Sequence, residues 1–425
     1  MQYLGGAIMG GIKYRYRVLV LLCLVAVITY LDRVAISVAG PRIQESLHIG
    51  PELWGWIVGI FTLSYALFEI PTGRMGDRLG ARKVLTRVVA WWSAFTAFTG
   101  LTTGFTSLLL TRFFFGMGEA GAFPNIAVSV FRWFPGVLRA RAMGFIFGCS
   151  QVGSAIAPLI VIPIQIRFGW RATFFILGAI GLVWCAIWYS WYRNTPAEMP
   201  GVSEEEKAET ASEAGGDSHH LPWKIALRRG NFWSLCMLGF CYVFALYFFL
   251  AWLHTFLVKA RGFSESELKL ATWPAILGTI GNLSGGFLSD FLVKRIGLRW
   301  GRKLIGLIGL GTATICMVAT IFVHHKGYTL LLLGLVYGGI TIQQTVAATV
   351  VVDAGRQFVG GILGATNMSS NIGGFLFSVS FGYFATWFGS YDLALIPIAV
   401  VLGCGFLLWL RIDPREPIIP VQEAS

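Results

Sequence analysis

Apolar stretches of about twenty residues alternate with short polar segments along almost the whole chain. They cover 18–39, 54–72, 84–103, 108–131, 142–166, 172–192, 232–258, 269–293, 302–323, 329–352, 359–386 and 391–411. A helix rises 1.5 Å per residue, so each stretch can cross a hydrocarbon core about 30 Å thick. The pattern predicts an all-α membrane protein with twelve transmembrane helices. Prolines at 71, 124, 158, 274 and 397 fall inside these stretches. Kinks of that kind are tolerated where neighbouring helices cover the freed carbonyls.

One polar segment is long. Residues 193–231 contain Glu204-Glu205-Glu206, Glu209, Glu213 and Asp217 among Ser, Ala and Gly, a composition that predicts a mobile linker. It divides the chain into an N-terminal six-helix bundle (1–192), a cytoplasmic loop and a C-terminal six-helix bundle (232–425). Lys13, Arg15 and Arg17 precede the first stretch, and Ser37-Val38-Ala39 resembles a cleavage site. The run is long, however, and carries Asp32-Arg33 before that site, unlike a signal peptide. It reads as an uncleaved first helix.

Composition agrees with a lipid setting. Hydrophobic residues make up 56% and charged residues 13% of the 425, where a soluble domain carries about 25% charged. The 52 glycines suit close helix approach in membranes. A net charge of +12 would suggest nucleic acid in a soluble protein. Here the basic residues sit in short loops, mostly on alternate sides of the spans, and act as topology determinants. They place both termini in the cytoplasm of a bacterial inner membrane. All seven cysteines lie within apolar runs without metal-ligand spacing and read as packing residues.

The halves echo each other. The second-to-third loop runs Gly73-Arg74-Met75-Gly76-Asp77-Arg78-Leu79-Gly80-Ala81-Arg82-Lys83. The eighth-to-ninth loop runs Gly286-Phe287-Leu288-Ser289-Asp290, then Lys294-Arg295 and Arg302-Lys303. Each has a glycine, an aspartate four residues on, and a basic cluster. Two parallel six-helix repeats with a midplane site between them form a known transporter plan.

The loop at 73–83 resembles the signature loop of the major facilitator superfamily. Tyr30-Leu31-Asp32-Arg33-Val34-Ala35-Ile36-Ser37, Phe68-Glu69-Ile70-Pro71-Thr72-Gly73 and Arg112-Phe113-Phe114-Phe115-Gly116-Met117-Gly118-Glu119-Ala120 are similar to the anion:cation symporter family, most of all its bacterial sugar-acid carriers. The resemblance implies that Asp32 and Glu119 are proton sites and that Arg33, Tyr65, Gln151 and Asn371 face the substrate. Asp77, Arg78 and Arg141 would gate the cytoplasmic side. Two departures stand out. His254 occupies a stretch of the seventh helix where these carriers commonly have proline. That helix also lacks the arginine with which the vesicular glutamate carriers hold a second anionic group. A monocarboxylate is expected over a dicarboxylate.

The residues support this reading on their own chemistry. A charge at the membrane centre costs roughly 2.5–3.5 kcal/mol, so Asp32, Arg33, Arg112 and Glu119 must pair or reach a water-filled cavity. They read either as two structural ion pairs locking helices one and four, or as carboxylates exchanging protons beside arginines that hold an anion. A guanidinium suits a carboxylate because its planar fork binds bidentately. The second half carries no acidic or basic residue deep in its spans. It offers Asn282, Gln343, Gln344, Asn367, Ser369, Ser370 and Asn371 instead, donors and acceptors suited to hydroxyls. Tyr30 and Ser370 join the expected substrate contacts, and Arg112 the proton-coupling set. Glu69, near the basic loop, reads as a structural ion-pair partner, and His254 as a satisfied or solvated histidine.

The expected function is a proton-coupled importer of a small organic anion, working as a monomer, with membrane lipid as its other partner. No metal cluster and no nucleotide-binding loop appears in the sequence, so neither an enzyme nor an ATP-driven pump is expected, and no cofactor. A drug:proton antiporter or an organic-anion exporter on the same fold is the rival reading. Buried Arg33 favours an anion over a lipophilic cation.

Overall fold

The computed structural model describes residues 13–211, 222–355 and 358–419. Among them there is no strand. Each apolar stretch is a helix. α1 is Tyr14–Ser46, α2 Pro51–Leu79 and α3 Ala81–Thr99. α4 comes in two pieces, Phe105–Glu119 and Ala122–Trp133. α5 is Gly136–Phe168 and α6 Trp170–Trp191. α7 runs over Gly230–Arg261. α8 and α9 meet at Gly297 within Thr272–Phe322. α10 is Lys326–Gly355, α11 Val359–Trp387 and α12 Ile396–Arg411.

Gly80 and Gly297 show why the two echoing loops match. Each takes φ 82°, a left-handed conformation that costs a side-chain-bearing residue but not glycine. Each turns the chain at the same place in its half, between the second and third helices of the six.

Two spans expected to be continuous are not regular. α4 breaks after Glu119. Pro124 has no N–H to donate to the Ala120 carbonyl four residues back, and the Asn125 side chain instead donates to the Gly121 carbonyl at 2.7 Å. α7 contains a π-helical turn over Phe248–Trp252, a feature often found near functional sites.

Among the described residues, seven helical stretches, with α8 and α9 counted together, are by length and composition long and apolar enough to cross a membrane. The pieces of α4 are too short on their own, while α2, α3 and α11 carry more charged, glycine and hydroxyl residues. The outer surface is apolar, with Phe287, Phe322 and Trp387 at 81%, 75% and 72% exposure, as lipid contact requires.

The first six and last six helices meet along a seam at the face opposite the termini. α2 rests on α11 at Gly55, where an added Cβ would lie 2.7 Å from the Ser378 carbonyl oxygen. Trp56 donates to the Tyr383 hydroxyl at 3.2 Å. Ser37 meets His254 at 3.1 Å, Gln44 donates to Thr255 at 3.0 Å, and Arg42 and Gln165 both bind Glu265. His254 is therefore buried in the seam (1% exposed), its Nδ1 bonded and its Nε2 without a partner. It is not solvated.

The loop after α6 is only partly as expected. A helix over Glu204–Ala211 docks on the start of α1. Glu206, 1% exposed, accepts from the backbone N–H groups of Tyr14 and Arg15 and pairs with the buried Arg15 guanidinium at 3.0 Å. Glu209 pairs with Lys13 at 2.8 Å and Arg15 at 2.5 Å. The hydrogen bond from Lys13, with Arg15 beside it, holds the Glu209 carboxyl below its ordinary range. An acidic residue over orphan amides at a helix start is favourable, so this part of the linker is fixed rather than mobile. Residues 212–221 lie outside the description.

Candidate functional site

α1 carries the first charges. Asp32 and Arg33 lie about 27–29 Å along it from Tyr14 and, as neighbours on a helix, face different ways. Asp32 (2% exposed) faces α3, where Thr96 donates to Oδ2 at 3.4 Å. Its Oδ1 is buried without a hydrogen-bond partner. Arg33 turns the other way and forms an ion pair with Glu119, the last residue before the break in α4. Glu119 is fully buried, and its second oxygen has no partner.

Aromatic rings enclose the Arg33 guanidinium. It lies 4.7 Å from the centre of the Tyr65 ring, 5.1 Å from Tyr30 and 5.4 Å from Phe61. Such cation–π contacts strengthen when desolvated. Arg112 does not pair with Glu119, although the two share a helix face. It stands over Phe61 and Phe115 at 4.9 and 4.6 Å, with Nε buried and unpartnered. Of the two arrangements open from sequence, one cross-helix ion pair exists, and each of the four charged groups keeps a buried atom without a hydrogen-bond partner.

A cavity of about 490 Å³ lies between the first and last six helices. Arg33, Tyr30 and Tyr65 line its inner end. Its remaining wall uses parts of helices nearer the termini: Glu69 late in α2, Met143 and Phe147 early in α5, Leu235 early in α7, Asn367 early in α11. It therefore opens toward the face that carries the termini, while the seam closes the opposite face.

Expected residues divide as follows. Tyr30, Arg33, Tyr65, Ser370 and Asn371 all line the cavity. The Ser370 hydroxyl also donates to the Thr366 carbonyl at 2.8 Å. Gln151, a turn beyond Phe147 on α5, is not among the described lining residues. Gln343 is fully buried and accepts from Trp409 at 3.3 Å, while its neighbour Gln344 faces the cavity. Glu69 is not in an ion pair with the basic loop among the described residues. It lines the cavity and accepts from Asn367. Arg141 is exposed at the start of α5. The side chains of Asp77 and Arg78 lie outside those described.

Tyr242 and Tyr247 also line the cavity and were not singled out. They sit in an aromatic-rich span, where nothing in the sequence separates a lining tyrosine from a packing one.

A sequence profile described as Major Facilitator Superfamily matches residues 22–378. The chain belongs to this superfamily. Its helices superpose on a bacterial homolog of the human lysosomal transporter Spinster with a TM-score of 0.78 at 21% identity, over 95% of this chain and 97% of that one. The superfamily fold thus accounts for the twelve helices, and the chain is a multi-pass membrane transporter, not an enzyme. Among curated relatives, the probable sulfoacetate transporter SauU of Cupriavidus necator is 32% identical over 95% of both chains. The hexuronate transporter of Bacillus subtilis is 33% identical over 74% of this chain and 78% of its own. A D-galactonate transporter of Escherichia coli is 29% identical over 94% and 95%. These transporters are all named for small organic acids.

Proposed function

We propose that this chain is a proton-coupled importer of a small hydroxylated monocarboxylate, such as a sugar acid, in a bacterial inner membrane. The Arg33–Glu119 ion pair at the inner end of the cavity carries the proposal. In this reading the substrate carboxylate takes Arg33 from Glu119. A fully buried carboxylate left without its counter-charge is costly, so Glu119 binds a proton as the anion binds. Release of the anion returns Arg33 to Glu119 and expels that proton. Asp32, against Thr96, is a second proton site, with Arg112 supplying positive charge nearby.

The named substrates of the relatives support an organic acid. The basic loops support cytoplasmic termini, which makes the observed cavity inward-facing. Residues 1–192 and 232–425 then rock about the site, with 193–231 linking them. Asp77, Arg78 and Arg141 come together when the cytoplasmic side shuts. Tyr30, Tyr65, Ser370 and Asn371 complete the substrate contacts, with Gln151 joining them in another facing.

Purified protein in liposomes tests the whole reading. If two protons accompany one monoanion, one net charge enters, and the membrane potential contributes about 2.3 kcal/mol per 100 mV. Sugar-acid accumulation should follow both an inward proton gradient and an inside-negative potential. Uptake indifferent to both would sink the symport reading. Proton-driven efflux of a lipophilic cation would favour the antiporter instead.

A further inference from the structure

The cavity is polarised from end to end. At its inner end stands the Arg33 guanidinium, 4.7 Å from the centre of the Tyr65 ring. One helical turn further along α2, about 6 Å toward the opening, stands the Glu69 carboxylate. Among the described residues no Lys or Arg pairs with it. Its partner is a neutral amide from the opposite half, with Asn367 Nδ2 at 2.9 Å from each oxygen. Gln344 faces the same cavity from α10, and its Oε1 has no donor. The inner end thus offers a cation with spare N–H groups, and the outer part offers hydrogen-bond acceptors.

We propose that Glu69, anchored by Asn367, is a specificity-determining residue that rejects a second carboxylate and accepts a hydroxyl-bearing tail. The inference rests on the reading that Arg33 holds the substrate carboxylate. A molecule held there projects its far end along α2 toward Glu69. A hydroxyl at that end donates to the Glu69 carboxylate. A second carboxylate there meets like charge in a partly desolvated space, which disfavours it, and among the described residues no Lys or Arg pairs with Glu69 to offset the repulsion. This is discrimination by a repulsive element as well as an attractive one. The selected class is an aldonate-type acid, anionic at one end only. Rejected is the aldarate with the same hydroxyls and a carboxylate at each end.

D-galactonate and galactarate differ in this one respect, so they serve as probes of the purified full-length protein near neutral pH. Wild-type protein should bind D-galactonate at least tenfold more tightly. In Glu69→Gln, whose amide oxygen still accepts from Asn367, the ratio should fall to threefold or less, chiefly through tighter galactarate binding. Equal or preferential galactarate binding by wild type overturns the proposal without need of any variant. So does a Glu69→Gln protein that binds galactonate and keeps the wild-type ratio. Failure of the underlying reading looks different: wild type would discriminate between the two acids, but Arg33→Ala would bind galactonate as tightly as wild type does.

Discussion

The Arg33 guanidinium on α1 and the Glu119 carboxylate on α4 are bound to each other in the membrane interior, and the glutamate is the last residue before its helix breaks. The break ends the regular backbone beside the ion pair. Breaking a buried pair by removing one partner costs about 3–5 kcal/mol, so the substituted proteins must be judged on function and folding together.

Glu119→Gln mimics a permanently protonated glutamate. The variant should exchange labelled for unlabelled substrate at near wild-type rates and lose net accumulation under a proton gradient. The empty carrier would lack the charged partner that Arg33 needs for its return. Normal accumulation would make Glu119 a structural partner only. The same pair of assays on Asp32→Asn asks whether one proton site operates or two.

Arg33→Ala should abolish sugar-acid binding in a thermal-shift or calorimetric titration. Arg33→Lys should recover part of it, because lysine keeps the charge but loses the bidentate fork. A charged hydrogen bond contributes about 1.5–3 kcal/mol, roughly a 10- to 150-fold change in Kd. An unchanged Kd in Arg33→Ala would place the substrate carboxylate elsewhere.

Asn371 lines the cavity on α11, where the second half presents neutral polar groups. Asn371→Ala should weaken binding of a hydroxylated acid more than that of an acid of similar length without hydroxyls, by about 1–3 kcal/mol if a buried partner is left unpaired. Equal losses would indicate packing.

The linker helix supplies a stability prediction. Arg15 and Glu206 are both buried, so Glu206→Ala should cost about 3–5 kcal/mol locally and release 204–211 to proteolysis. Lys13→Ala removes an exposed partner and should cost at most about 1 kcal/mol. Because Lys13 and Arg15 depress the titration of Glu209, its contribution is present above the ordinary carboxylate range and is lost as pH falls through the depressed value. Protection of 204–211 from protease should follow that direction.

The helices were legible in the sequence because apolar length alone dictates a membrane span, and the repeat because Gly73 and Gly286 are each followed four residues on by an aspartate and then by a basic cluster. The break in α4 was written in Pro124 and its glycines but was masked by an unbroken apolar run. Charged site residues stood out because lipid makes each of them costly. Which of them pair was not legible, since adjacent positions such as Asp32 and Arg33 face different helices. The contact of Glu69 with Asn367 was not legible, because its sequence neighbours are basic and its partner comes from the other end of the chain.

Every buried charge at the inner end of the cavity belongs to α1 or α4, and the residues that α7–α12 add to its wall are neutral. On the proposed roles, charge and hydroxyl recognition are therefore inherited from different halves. A chimera that keeps α1–α6 and takes α7–α12 from another organic-acid carrier should keep Arg33, Glu69 and Glu119 in place while meeting a new set of neutral polar groups. Drift in the second half can then retune diet among acids of one charge type.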